Sequence, residues 1–69
     1  MVEIFETNVE KKNEADAVAG LIVKHFPDFT VNFDLHDIDN ILRIEGEIIC
    51  PDNIIDLVKS INVNCSVIE

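Results

Sequence analysis

The chain has 69 residues, 48% of them apolar, with fourteen acids against five bases and a formal net charge of −9. Such a length makes one small domain, residues 1–69, that buries about 60% of the surface its unfolded form exposes, and so large an apolar fraction excludes a disordered segment. The acidity excludes the basic face on which phosphate-backbone binding depends, so neither nucleic acid nor an anionic membrane is an expected partner, whereas basic partners and cations are tolerated.

Val2–Thr7, VEIFET, mixes β-branched, aromatic and acidic residues and reads as a central strand with apolar groups on both faces. Asn13 is placed to cap a helix, with Glu14 and Asp16 in the first turn, where acids suit the helix dipole. Ala15, Val18, Ala19, Ile22 and Phe26 recur at helical spacing, and Leu21 and Val23 widen the stripe. Pro27 ends the helix, because the residue before a proline avoids helical geometry. From Phe29 to His36, apolar Phe29, Val31, Phe33 and Leu35 alternate with polar residues, the pattern of a strand with one buried face. Asp37, Asp39 and Asn40 give a polar turn. Ile41–Ile48 returns as a hairpin partner, with Leu42 and Ile44 inward and Arg43 and Glu45 outward. Pro51 suits the first turn of a second helix, whose stripe is Ile54, Ile55, Leu57, Val58 and Ile61. Asn62 and Asn64 mark a turn, and Cys65–Glu69 is a short last strand.

The order β-α-β-β-α-β packs most economically as an α+β, ferredoxin-like sandwich: a four-stranded antiparallel sheet with both helices on one face. The first and third strands are then central. Residues 8–13, 37–40 and 62–64 gather at one end, called the top, and Pro27, Cys50–Pro51 and both chain ends gather at the bottom.

The length, this order and the run TNVEKKNEADAVAGLIVKHFPDFTVNFDL resemble the heavy-metal-associated domain family of copper chaperones and metal-ATPase N-terminal modules. Val9 looks like the apolar anchor before that family's metal loop, and Ala17-Val18 look like the small-apolar pair in its first helix. The family's Cys-x-x-Cys signature is missing: Lys11 and Glu14 stand where the cysteines would fall. The resemblance therefore implies the fold and argues against the activity. Soft metals select thiolates, and a protonated lysine is no ligand.

Other chemistry has little support. A helix separates Cys50 from Cys65. Its roughly 10 residues span about 15 Å, whereas bridged Cα atoms lie within about 7 Å. Free thiols suit the cytoplasm, as do the lack of a spanning apolar run and of a signal-like N-terminal segment. Of His25, His36, Cys50 and Cys65, His36 and Cys65 fall on opposite edges of the sheet and only His25 and Cys50 could meet, and two ligands do not complete a tetrahedral site, so no metal centre is expected. Asp34–Asn40, DLHDIDN, clusters acids but lacks the glycine and distal glutamate of a calcium loop. There is no glycine-rich loop to hold a cofactor and no Cys–His or Ser–His–Asp grouping. Arg43 sits mid-strand, unlike the arginine of an acylphosphatase phosphate loop, and Phe29 and Phe33 share the buried parity, unlike the open-face aromatics of RNA-binding domains. The chain does not read as an enzyme.

The open sheet face carries the alternative that matters. With Phe5, Thr7 and Val9 inward, Val2 and Ile4 point outward, beside Ile68 on the last strand and with Ile41 further along the third. That patch would suit a protein partner or a weak homodimer. With the opposite parity, Val2 and Ile4 are core. The expected function is a small acidic non-catalytic interaction module that uses the open face or an edge strand. The other class is a metal-handling or small-ligand-sensing domain using residues 9–14 and 37–40.

Overall fold

The computed structural model describes residues 1–35 and 40–68. The elements are β1 (Val2–Thr7), α1 (Lys12–His25), β2 (Thr30–Asp34), β3 (Ile41–Glu45), α2 (Pro51–Lys59) and β4 (Cys65–Val67). They form a four-stranded antiparallel sheet in the order β2-β3-β1-β4 with the two helices on one face, the ferredoxin-like arrangement. Phe5 of β1 stands opposite Leu42 of β3, which stands opposite Phe33 of β2. This row and its neighbour Ile44 meet Ala15, Val18 and Ile22 of α1 and Ile54 and Val58 of α2 in one core. Burying each large aliphatic or aromatic side chain contributes about 1.5–3 kcal/mol.

α1 starts earlier than Asn13 suggests. Lys11 is the extended N-cap, with no side-chain capping bond, and the Ala15 N–H donates to the Lys11 carbonyl at 3.0 Å. Asn13 therefore lies inside the first turn. Ala15, Val18 and Ile22 are buried, but Val23 is 40% exposed, one residue round from the stripe. Val9 and Val18 are buried, whereas Ala17 is exposed. The helix ends at His25, and Phe26 before Pro27 is non-helical.

β2 is shorter than its alternation. Phe29 donates its N–H to the Phe26 carbonyl at 3.0 Å, closing a turn over Pro27 and Asp28 before the strand begins. Val31 and Phe33 are half-buried between exposed Thr30, Asn32 and Asp34, as alternation requires. His36 and the turn residues Asp37 and Asp39 lie outside the described residues. Asn40 follows with a left-handed φ of 50°.

β3 ends at Glu45, three residues before Ile48. Leu42 and Ile44 are fully buried, with Arg43 and Glu45 exposed. Gly46, just past the strand, lies against the Phe29 ring: a Cβ there would fall 2.6 Å from Phe29 Cδ1. Beyond it the chain bends, Ile48 turns out to 82% exposure, and Ile49 enters the core instead.

α2 ends at Lys59, so Ile61 is not part of its stripe and is 42% exposed. Asn62, at φ 63°, takes the left-handed position, with its N–H on the Lys59 carbonyl at 3.0 Å and the Val63 N–H on the Val58 carbonyl at 3.2 Å. Those two bonds are a Schellman cap. It carries Val63, rather than Ile61, into the core beside Val58. β4 comprises Cys65–Val67, and pairing persists one residue further through the Ile68 N–H on the Ile4 carbonyl at 2.9 Å.

Candidate functional site

Phe5 and Val9 are fully buried, which fixes the parity of β1 and turns Val2 and Ile4 to the uncovered face. Three cross-strand rows tile that face. Val2 is opposite Glu45, and Glu45 is opposite Thr30; Ile4 is opposite Arg43, and Arg43 is opposite Asn32; Glu6 is opposite Ile41, and Ile41 is opposite Asp34. On the other side of β1, the backbone bond from Ile68 sets Ile68 beside Ile4, and Ser66 pairs with Glu6, its Oγ donating to Glu6 Oε1 at 3.1 Å.

The candidate patch Val2, Ile4, Ile41 and Ile68 is thus on one face. Val2 is 50% and Ile68 41% exposed, and Ile4 between them is half-buried. Ile41 is diagonal to Ile4, across a quadrilateral completed by Arg43 and Glu6; diagonal neighbours lie about 7–8 Å apart, within reach of branched side chains. Two further exposed apolar side chains lie off this patch. Met1, 63% exposed, has the parity of Phe5 rather than of Ile4, and Ile48, 82% exposed, projects from the bend after β3 beside Asp28, Phe29 and Glu47. Ile48 sits in an apolar run that reads as strand, so only its end at Gly46 reveals it.

The edge of the face is acidic: Glu6, Asp34 and Glu45 are exposed on it, with Arg43 as the one base there among the described residues. Arg43 stands mid-strand among these side chains.

The top-end loops are tied to one another. The Thr7 hydroxyl donates to the Asn40 carbonyl at 2.8 Å and accepts from the Val9 N–H at 3.2 Å. The Asn8 N–H donates to the Asn64 carbonyl at 3.3 Å, and the Asn64 N–H returns a bond to Asn8 Oδ1 at 3.0 Å. Glu10, Lys11, Lys12 and Glu14 are all exposed there. Among the described residues, no group of three or more His, Cys, Asp or Glu side chains is placed to hold a metal ion. Cys50 and Cys65 are free thiols in different parts of the fold, Cys50 exposed before α2 and Cys65 half-buried on β4. Burial pushes the Cys65 thiol up to about 11, so it is protonated at neutral pH and is neither a nucleophile nor a thiolate ligand. No helix among the described residues is long and apolar enough to cross a membrane.

One concavity lies away from these features. A groove of about 500 Å³ runs between α1 and the outer edge of β2, with Ala15 and Ala19 on one wall and Val31, Phe33 and Leu35 on the other. The two alanines open it, since longer side chains at those helix positions would fill it. Neither a family model, nor a curated protein, nor a solved structure matches this chain.

Proposed function

We propose that this domain is a non-catalytic protein-interaction module that engages its partner, or a second copy of itself, through the open face of the sheet. The observation that supports this is the corner made by Val2, Ile4 and Ile68. In an antiparallel sheet with one uncovered face, the outward positions are ordinarily polar. Here three aliphatic side chains meet on that face. A contiguous exposed apolar patch rimmed by polar residues is the usual mark of a contact surface. The domain is on this reading a relative of the heavy-metal-associated domains whose first loop has no thiolates, with its contacts made by the sheet instead. It works in the cytoplasm, where both thiols stay reduced.

The test is capture from the chain's own cell extract with the wild type and with Ile4→Lys as paired baits, alongside sedimentation of each protein alone. A partner, or a self-associated species, that is present with the wild type and lost with a folded Ile4→Lys supports the proposal. Identical captured sets together with unchanged sedimentation would overturn it.

A further inference from the structure

β2 and β4 are the two edges of the sheet. The register and two loop bonds show which backbone groups each edge leaves outward. Met1 lies opposite Gly46 in the β1–β3 register, and the Gly46 N–H donates to the Met1 carbonyl at 3.0 Å. In an antiparallel ladder, bonded and non-bonded pairs alternate, so Ile44 and Leu42 also bond toward β1. Glu45, Arg43 and Ile41 then bond toward β2, where they meet Thr30, Asn32 and Asp34. The N–H and C=O groups of Val31 and Phe33 therefore point away from the sheet. No bond from them to another described residue closes that edge.

The residues with outward backbone are also those whose side chains line the α1–β2 groove. This coincidence is what a recognition edge requires. A strand added beside β2 would bond to Val31 and Phe33 through its main chain and seat alternate side chains between them and Ala15 and Ala19. β4 lacks this pairing of features. It is three residues long, and the hollow at its top end is lined by Glu6, Thr7, Asn8, Lys59, Asn64 and Ser66 around half-buried Cys65, with no run of apolar side chains such as Val31, Phe33 and Leu35.

Charge selects the occupant. A second copy of the chain would bring another net −9 to the same edge. Within the groove Asp16 and Lys12 of α1 offset each other, so the charge an incoming segment meets is the excess of the whole chain. We infer that the β2 edge is a docking site for an extended, net-basic peptide segment carrying small apolar side chains at alternate positions, which joins the sheet as a fifth strand. This surface is separate from the open face, and either can fail without the other.

The test uses a displayed library of random short peptides selected on the immobilised protein, followed by amide NMR with the enriched peptides. The expected result is enrichment of sequences alternating apolar with Lys or Arg. The amides of Val31, Phe33, Ala15 and Ala19 should shift, and the exposed N–H groups of Val31 and Phe33 should become protected from hydrogen exchange. Val31→Pro removes one outward donor while leaving the bonds to β3, because proline is tolerated where an edge N–H faces away; it should weaken binding about tenfold or more. Ala19→Arg, which fills the groove from the helix and leaves the strand intact, should do the same. Enriched peptides that shift Val2, Ile4 and Ile68 instead would overturn the inference and leave the open-face proposal standing. No enrichment over the Ala19→Arg protein, or selected sequences that are acidic, would also overturn it, as would an edge occupied by a second copy in sedimentation.

Discussion

At the residue scale, Leu42 and Gly46 show how little freedom the core of a 69-residue domain has. Leu42 is fully buried on central β3, with Phe5 and Phe33 on either side. Leu42→Ala is expected to cost about 3 kcal/mol, a large part of the few kcal/mol that such a domain holds; a urea titration would read it as a lower midpoint. Gly46 is constrained for another reason. Its φ is not left-handed, so the obstacle to a side chain is the Phe29 ring 2.6 Å from a Cβ. That ring cannot simply swing aside, since it stacks on Phe26 at 4.9 Å between centroids with 11° between the planes. Gly46→Ala is expected to destabilise by about 1–3 kcal/mol. The penalty should shrink in a Phe29→Ala background, because the two changes share the clash. Equal penalties in both backgrounds would show that the ring is not the cause. Cys65 has its own signature. Burial lifts its thiol from the ordinary 9.0 to about 11, so between those values the folded chain keeps a proton that the unfolded chain has lost. The stability this site contributes is complete below pH 9.0 and is lost as pH rises through about 11. Melting curves across that window should fall more steeply for the wild type than for Cys65→Val.

At the scale of elements, the helix ends hold the clearest expectation. α2 is closed by Asn62 in the left-handed region, which costs an alanine roughly 1–2 kcal/mol and glycine nothing. Asn62→Ala should lower the unfolding midpoint and Asn62→Gly should match or exceed the wild type. Failure of both to move it would mean that the cap is not what places Val63. The same elements show what the sequence made legible. The alternation through Val31 and Phe33, the stripe of Ala15, Val18 and Ile22, and the pair Ile54 and Val58 each carry one period, and each burial pattern agrees. What the pattern missed lies where a tertiary contact or a local bond overrides it. Ile48 continues an apolar run, but β3 ends at Glu45 and the bend beyond it sends Ile49 inward and Ile48 out. Ile61 keeps the helical spacing, but the Schellman bonds divert the chain to Val63. Asn13 is a good capping residue, yet the first turn closes on Lys11. The parity of β1 was undecidable for a related reason: Val2 and Ile4 are as apolar as Phe5, and only burial against the helices tells them apart. The α1–β2 groove left no periodic signal, because alanine at a helix position is equally a core residue and a gap.

At the scale of the whole molecule, net charge and the apolar corner oppose each other. Two copies meeting through Val2, Ile4 and Ile68 would bury aliphatic surface, but each brings nine excess negative charges. That repulsion is long-ranged at low salt and is screened within about 8 Å at physiological ionic strength. Sedimentation should therefore find monomers at low salt and, if the open face pairs with itself, an associated fraction that grows as salt is added. Ile4→Lys separates the two effects, because it removes one unit of the net −9 and so weakens the repulsion while placing an ammonium in the apolar corner. Were electrostatics the controlling influence, the variant would associate more readily than the wild type at low salt. If burial of the corner drives association, the variant should stay monomeric even at high salt, since an unpaired charge buried in the contact costs several kcal/mol. A wild type that remains monomeric across the whole salt range would assign the corner to a different protein. The acidic rim of Glu6, Asp34 and Glu45 then favours a partner whose own contact surface is apolar at its centre and basic at its margin.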